Sequence, residues 1–67
     1  MLKLSIILPV YNEEGSLGEL YQEIKRVLDQ LAFGYEIIAV NDGSEDQSSE
    51  ILKKIARDDS KFKVIHF

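Results

Sequence analysis

The side chains able to do chemistry fall in two short stretches, Pro9-Val10-Tyr11-Asn12-Glu13-Glu14-Gly15 and Asn41-Asp42-Gly43-Ser44-Glu45-Asp46. Both are acidic and rich in hydrogen-bonding groups. A carboxylate such as Asp42 accepts from a base imino N–H or a ribose hydroxyl, and Tyr11 offers a ring to lie against a base. Neither stretch carries G-x-G-x-x-G or G-x-x-x-x-G-K-[ST], so no backbone cradle for phosphate is visible. Phosphates would then need a metal or basic residues from elsewhere. Plainer roles stay open: Asp42 and Asp46 as residues that shape a turn and cap a helix, Glu13 and Glu14 as solvated charges near a helix N-terminus. His66 stands alone in a strand without a visible partner, which reads as a packed or surface histidine.

The elements that must position these residues follow from the apolar pattern. Leu4 to Leu8 predicts a first strand, with Pro9 tolerable at its end or on an edge because it has no N–H to give to a ladder. Ser16 and Glu19 have capping-box spacing, and Leu17, Leu20, Tyr21, Ile24, Val27, Leu28 and Leu31 recur every three or four residues, which predicts an amphipathic helix. Gly34 is placed to close that helix in a left-handed cap, with Phe33 and Tyr35 around the exit. Ile37, Ile38, Ala39 and Val40 form an unbroken apolar run, as in a strand covered on both faces. Ile51, Leu52, Ile55 and Ala56 then predict a shorter helix with Glu50 four residues before Lys54, and Phe62 to Phe67 a third strand.

Strand, helix, strand, helix, strand implies an α/β class: a Rossmann-like half domain whose three-stranded parallel sheet has order 3-2-1. Right-handed crossovers in one direction put both helices on one face. Each strand nevertheless carries apolar residues on both faces: Ile6 and Ile7, Ile38 and Ala39, Val64 and Ile65. The second face is therefore expected to be covered by further sequence or by a second copy, in a homodimer or higher oligomer.

Size and charge bound the rest. A chain of 67 residues makes one small domain at most, and a core of that size supplies only about 3–5 kcal/mol. Cysteine is absent, so neither disulfides nor a thiolate zinc site add to it, which fits a reducing compartment. The net charge is −4, with scattered lysines, which argues against a nucleic-acid surface. The Leu4 to Val10 run is too short to span a bilayer and leads into Glu13 and Glu14, so neither a signal peptide nor a membrane helix is expected.

Taken together, Leu4-Ser5-Ile6-Ile7-Leu8-Pro9-Val10-Tyr11-Asn12-Glu13-Glu14 and Ile37-Ile38-Ala39-Val40-Asn41-Asp42-Gly43-Ser44-Glu45-Asp46-Gln47-Ser48 resemble the family 2 glycosyltransferases of the GT-A fold. The resemblance runs from Leu4 to Phe67, and the pairing of P-V-Y-N-E-E with V-N-D-G-S-x-D is what makes it specific. Val64-Ile65-His66-Phe67 further resembles the polyprenyl-phosphate branch, such as dolichol-phosphate mannosyltransferase. The resemblance implies that residues 1–67 are the N-terminal part of a GT-A domain that holds a nucleoside diphosphate sugar of UDP or GDP type. Pro9, Tyr11 and Glu13 match the first donor loop, and Asp42 the acid that binds the base. Asn41 departs from the aspartate found there in many members, and Ser44 and Asp46 match structural positions of the turn. The family's metal-binding D-x-D motif and catalytic acid have no counterpart here. Catalytic and metal-binding residues are therefore assigned to none of these positions, a divalent Mg or Mn ion is expected only in a full-length enzyme with ligands outside this chain, and the isolated chain is expected to be inactive. Family habit implies a cytoplasmic location, with any membrane association confined to a longer parent.

Two rival readings make different demands. A non-catalytic, self-associating α/β fragment would show concentration-dependent size and no nucleotide binding. A phosphoacceptor domain like the bacterial receiver requires an aspartate at the end of the third strand, where His66 and Phe67 stand.

Overall fold

The computed structural model of the chain describes residues 3–31 and 34–67. Strand β1 (Lys3–Val10), helix α1 (Leu17–Leu28), strand β2 (Gly34–Asn41), helix α2 (Ser48–Asp58) and strand β3 (Phe62–His66) follow in that order. The sheet is parallel with β2 in the centre, so the expected α/β half domain is observed. Val10 pairs in register with Asn41, and Asn41 with His66, which ends all three strands at one level. The two chemically equipped loops leave from that carboxyl edge.

Burial along β2 alternates strictly, with Tyr35, Ile37, Ala39 and Asn41 turned inward. They meet Val10 and Phe62 from the neighbouring strands, Leu17 and Leu28 from α1 and Leu52 from α2, so both helices cover the same face. A period of two sends the residues between them to the other side. That side presents Ile7, Pro9, Ile38, Val40 and Ile65 toward its carboxyl half, with Ile7 59% and Ile65 47% exposed. Toward the amino half it is polar: the Ser5 hydroxyl donates to Glu36 Oε2 at 2.6 Å, and Lys63 Nζ lies 4.0 Å from Glu36 Oε1.

Pro9 sits one residue before the end of β1, which is an edge strand. Val10 O accepts from Asp42 N at 2.9 Å and so points toward β2. Alternation turns the Pro9 backbone toward the open edge, where a missing donor costs no ladder bond.

Several local expectations change. Helix α1 ends at Leu28 with Asp29 as C-cap in right-handed geometry, and Gly34 opens β2 instead of closing the helix. The positive φ values among the described residues fall on Asn12 and Gly43. The exit is made instead by Gln30 N–H to Val27 O and Leu31 N–H to Leu28 O, a tightening of the last turn that needs no glycine. Phe33 lies outside the described residues. The capping box does not form, because Glu13 O already accepts from both Ser16 N–H and Leu17 N–H, and the Ser16 hydroxyl donates to Glu13 Oε2. Glu50 pairs with Lys53, one residue earlier than expected, at 3.6 Å.

At the amino edge the helices are tied to the sheet by a polar network. The Tyr21 hydroxyl donates to Asp59 Oδ2 at 2.6 Å, Lys25 Nζ lies 3.1 Å from the same oxygen and donates to the Tyr35 hydroxyl at 2.5 Å, and that hydroxyl donates to Asp29 Oδ1 at 2.6 Å. The Tyr21 ring meets Phe62 edge-on, and the Lys61 ammonium sits 4.3 Å above the Tyr35 ring. Burial and the hydrogen bond to the Asp59 carboxylate push the Tyr21 phenol up to about 12 from 10.0. A proton held more tightly in the folded chain stabilises fully below the unfolded value and is lost as pH rises through the folded one. The urea midpoint is therefore expected to fall between pH 10.0 and about 12. Lys25 is raised in the same direction, since its bonds to Tyr35 and Asp59 outweigh the burial that opposes its charge. In Tyr21→Phe the fall becomes shallower because the phenol no longer contributes; an unchanged slope would remove Tyr21 from the account.

Candidate functional site

The carboxyl edge is built by two loops that satisfy each other. Asp42 N–H donates to Val10 O, carrying the β1–β2 pairing one step past the strand ends. The first loop then presents three successive backbone N–H groups to side chains of the second loop and of the first residue of α2. Asn12 N–H donates to Ser44 Oγ at 3.0 Å, Glu13 N–H to Ser48 Oγ at 2.7 Å and Glu14 N–H to Asp46 Oδ2 at 3.1 Å. The reciprocal bond runs from Glu45 N–H to Asn12 Oδ1 at 2.7 Å. Two sharp bends make this possible: Asn12 at φ 50° and Gly43 at φ 71°. Left-handed geometry is ordinary for glycine and tolerated by asparagine, whose short polar side chain bonds locally.

Asp46 joins the first loop to the start of α2. Partial burial works against its charge, but the Ser48 hydroxyl, the Ser48 N–H, the Glu14 N–H and its own N–H together hold its carboxyl below the usual carboxylate range. Its Oδ1 accepts from Ser48 N–H at 2.8 Å and so supplies the start of α2, where Gln47 makes no side-chain cap. Ser48 is fully buried between the two loops.

Against this frame the expected ligand-binding residues separate. Tyr11, Glu13 and Asp42 reach the same edge and are exposed, Tyr11 by 54%. The Glu13 carboxylate is partly engaged by the Ser16 hydroxyl at 3.2 Å, whereas the Asp42 carboxylate takes no hydrogen bond among the described residues. Pro9 stands just below, exposed on the uncovered sheet face. Ser44 and Asp46 hold the loops, as the turn positions imply. Asn41 faces inward at 3% exposure, away from any ligand above the edge.

Three residues of this edge carry more than the sequence reading assigned them. Ser48 joins both loops, Asn12 closes the reciprocal bond, and His66 has a partner after all, the Asn41 amide at 3.1 Å. Strand register creates that last pairing across 25 residues of chain, and no local spacing signals it.

The arrangement offers carboxylate and hydroxyl acceptors and an aromatic ring, but no cation. Among the described residues no group of three or more His, Asp or Glu side chains converges as a metal site. An apolar hollow of about 350 Å³ lined by Ile6, Glu23, Ile24, Val27 and Leu28 lies between α1 and β1, away from the rim and from its polar groups. No helix among the described residues is long and apolar enough to cross a membrane.

Comparison with known proteins agrees with this geometry. Residues 5–67 match the family described as Glycosyl transferase family 2. An uncharacterized glycosyltransferase, YkcC of Bacillus subtilis (strain 168), is 47% identical over 66 residues, covering 98% of this chain and 20% of the relative. An undecaprenyl-phosphate 4-deoxy-4-formamido-L-arabinose transferase of Pseudomonas fluorescens (strain SBW25) is 48% identical over 56 residues, 84% of this chain and 16% of the relative. The crystal structure of S. aureus TarS 1-349 superposes with a TM-score of 0.75 at 30% identity, over 98% of this chain and 19% of that one. The chain thus spans about a fifth of the length of the proteins it matches. With the paired loops, the parallel half-sheet and the family match coinciding over residues 5–67, the chain belongs to glycosyltransferase family 2.

Proposed function

We propose that this chain is the donor-binding segment of a nucleotide-sugar-dependent glycosyltransferase, with Asp42 accepting from the base, Tyr11 against its ring and Pro9 and Glu13 completing the first donor loop. One observation carries the reading: the loops consume Ser44, Asp46 and Ser48 in holding each other and leave Asp42 and Tyr11 outward at the carboxyl end of the strands. Open α/β sheets bind ligands at that edge. The donor is of UDP or GDP type, and the acceptor of the longer parent is a polyprenyl phosphate, the substrate named for the Pseudomonas relative. The location is cytoplasmic, as the family implies, with any membrane association confined to the longer parent. A divalent ion, if the parent uses one, takes ligands from outside the residues described. The 67-residue chain alone transfers no sugar, and measurable turnover by it would overturn that statement.

The uncovered face supports a second property, homodimerisation through Ile7, Ile38, Val40 and Ile65. Sedimentation sizes the chain first; a compact monomer at all concentrations removes the dimer. NMR titration with UDP and GDP, with and without magnesium or manganese, then tests the donor reading. Shifts are expected at Tyr11, Glu13 and Asp42, with weak affinity. Asp42→Asn should lower it roughly tenfold or more, the range expected when a hydrogen bond to a charged group worth about 1.5–3 kcal/mol is weakened. Absence of shifts, or shifts confined to the apolar hollow, would refute it.

A further inference from the structure

We propose that Asn41 is a positioning residue of the carboxyl edge: its amide holds the turn that carries Asp42 and sets the tautomer of the neutral His66 ring, with the proton on Nε2, so that the end of β3 presents an Nε2–H hydrogen-bond donor. The orientation of the amide is dictated by its surroundings. Ser44 N–H points at Asn41 Oδ1 at 3.2 Å, and a backbone N–H can only donate. The oxygen must face Ser44, which leaves Nδ2 and its two hydrogens for Ser49 Oγ at 2.6 Å and His66 Nδ1 at 3.1 Å. Turning the amide over would set donor against donor at Ser44, in a side chain only 3% exposed.

With Nδ2 donating, His66 Nδ1 must accept. Its lone pair is committed and the ring proton resides on Nε2. Protonating Nδ1 would place two donors 3.1 Å apart with no alternative acceptor on the amide, whose single oxygen already serves Ser44. The groups that meet the Asn41–His66 pair are the neutral Ser49 of α2 and the turn residue Ser44. The charged groups of this edge are Glu13 and Glu14 on the β1–α1 loop, Asp42, Glu45 and Asp46 on the β2–α2 loop and Glu50 in the first turn of α2; among the described residues none forms an ion pair with the imidazole. The amide therefore decides the ring's state, and an aspartate at position 41 would reverse it by accepting from Nδ1–H.

The tautomer is independent of the donor reading; only the statement that a ligand uses this edge rests on it. The test accordingly needs no nucleotide. Nitrogen-15 spectra of the His66 ring in the unmodified chain are expected to show an unprotonated Nδ1 and a protonated Nε2 in the neutral form. In Asn41→Asp the proton of the neutral ring should move to Nδ1, because the carboxylate that replaces the amide can only accept there. A merely structural role for Asn41 would leave the ring nitrogens alone. A neutral His66 with its proton on Nδ1, or an even mixture of tautomers, overturns the proposal, and because that reading uses the unmodified chain it stands even where Asn41→Asp fails to fold. A ring that keeps its proton on Nε2 in a folded Asn41→Asp chain overturns it equally. Loss of nucleotide binding in the unmodified chain would refute the donor reading and leave the tautomer result intact.

Discussion

Ile37→Ala should unfold most of the chain in dilute solution at 25 °C, while Ile38→Ala, the next residue along, leaves it folded. Ile37 is completely buried at the centre of β2, opposite Ile6 on one side and Phe62 on the other, beneath the helices. Removing most of an isoleucine side chain from such a position costs about 2–5 kcal/mol in lost transfer energy and residual cavity. A core of this size supplies about 3–5 kcal/mol in all. Ile38 pairs with Ile7 and Lys63 on the uncovered face and is only half-buried, so its truncation should cost well under half as much. Urea midpoints for both variants, taken below any association concentration found by sedimentation, decide the matter. Equal losses in the monomer would mean that the second face is covered within one chain. A loss at Ile38 that appears only at high concentration would tie that face to the dimer.

Ser48→Ala should open the rim without touching it. The hydroxyl accepts from Glu13 N–H at 2.7 Å and helps to hold Asp46 ionised. Its loss strands a part-buried donor, at a cost of about 1–3 kcal/mol. Asp46 still reaches Glu14 and Ser48 N–H, so the loops loosen from the middle outward. Hydrogen exchange at Asn12, Glu13 and Glu14 should accelerate by roughly tenfold or more, the factor that corresponds to about 1.4 kcal/mol, and any nucleotide affinity should fall although Ser48 is wholly buried. Gln47→Ala is the control: Gln47 is exposed and makes no side-chain cap, so stability should stay within about ±0.5 kcal/mol. Unchanged exchange at Glu13 in Ser48→Ala would mean that the loops are held by the strand ends alone.

The sequence by itself determined the elements and their order, because each rests on a local pattern: the apolar run Ile37 to Val40, the three-and-four spacing from Leu17 to Leu28, and the break at Asp42-Gly43. It also determined that one sheet face would be left apolar and uncovered, since a period of two assigns Ile7, Ile38 and Ile65 to one side whatever the partner. Helix ends were less legible. Gly34 and the Ser16–Glu19 pair looked like terminators, but caps depend on which N–H and C=O groups remain free, and Glu13 O and Val27 O had already taken theirs. What only the tertiary structure decided was the division of labour within the two loops. Ser44, Asp46 and Ser48 bond to backbone groups more than thirty residues away, His66 meets Asn41 through register, and Asp42 is left outward as a consequence. Local spacing records which residues can hydrogen-bond; only the closure of distant loops sets which of them are consumed in holding the edge and which are left for a ligand.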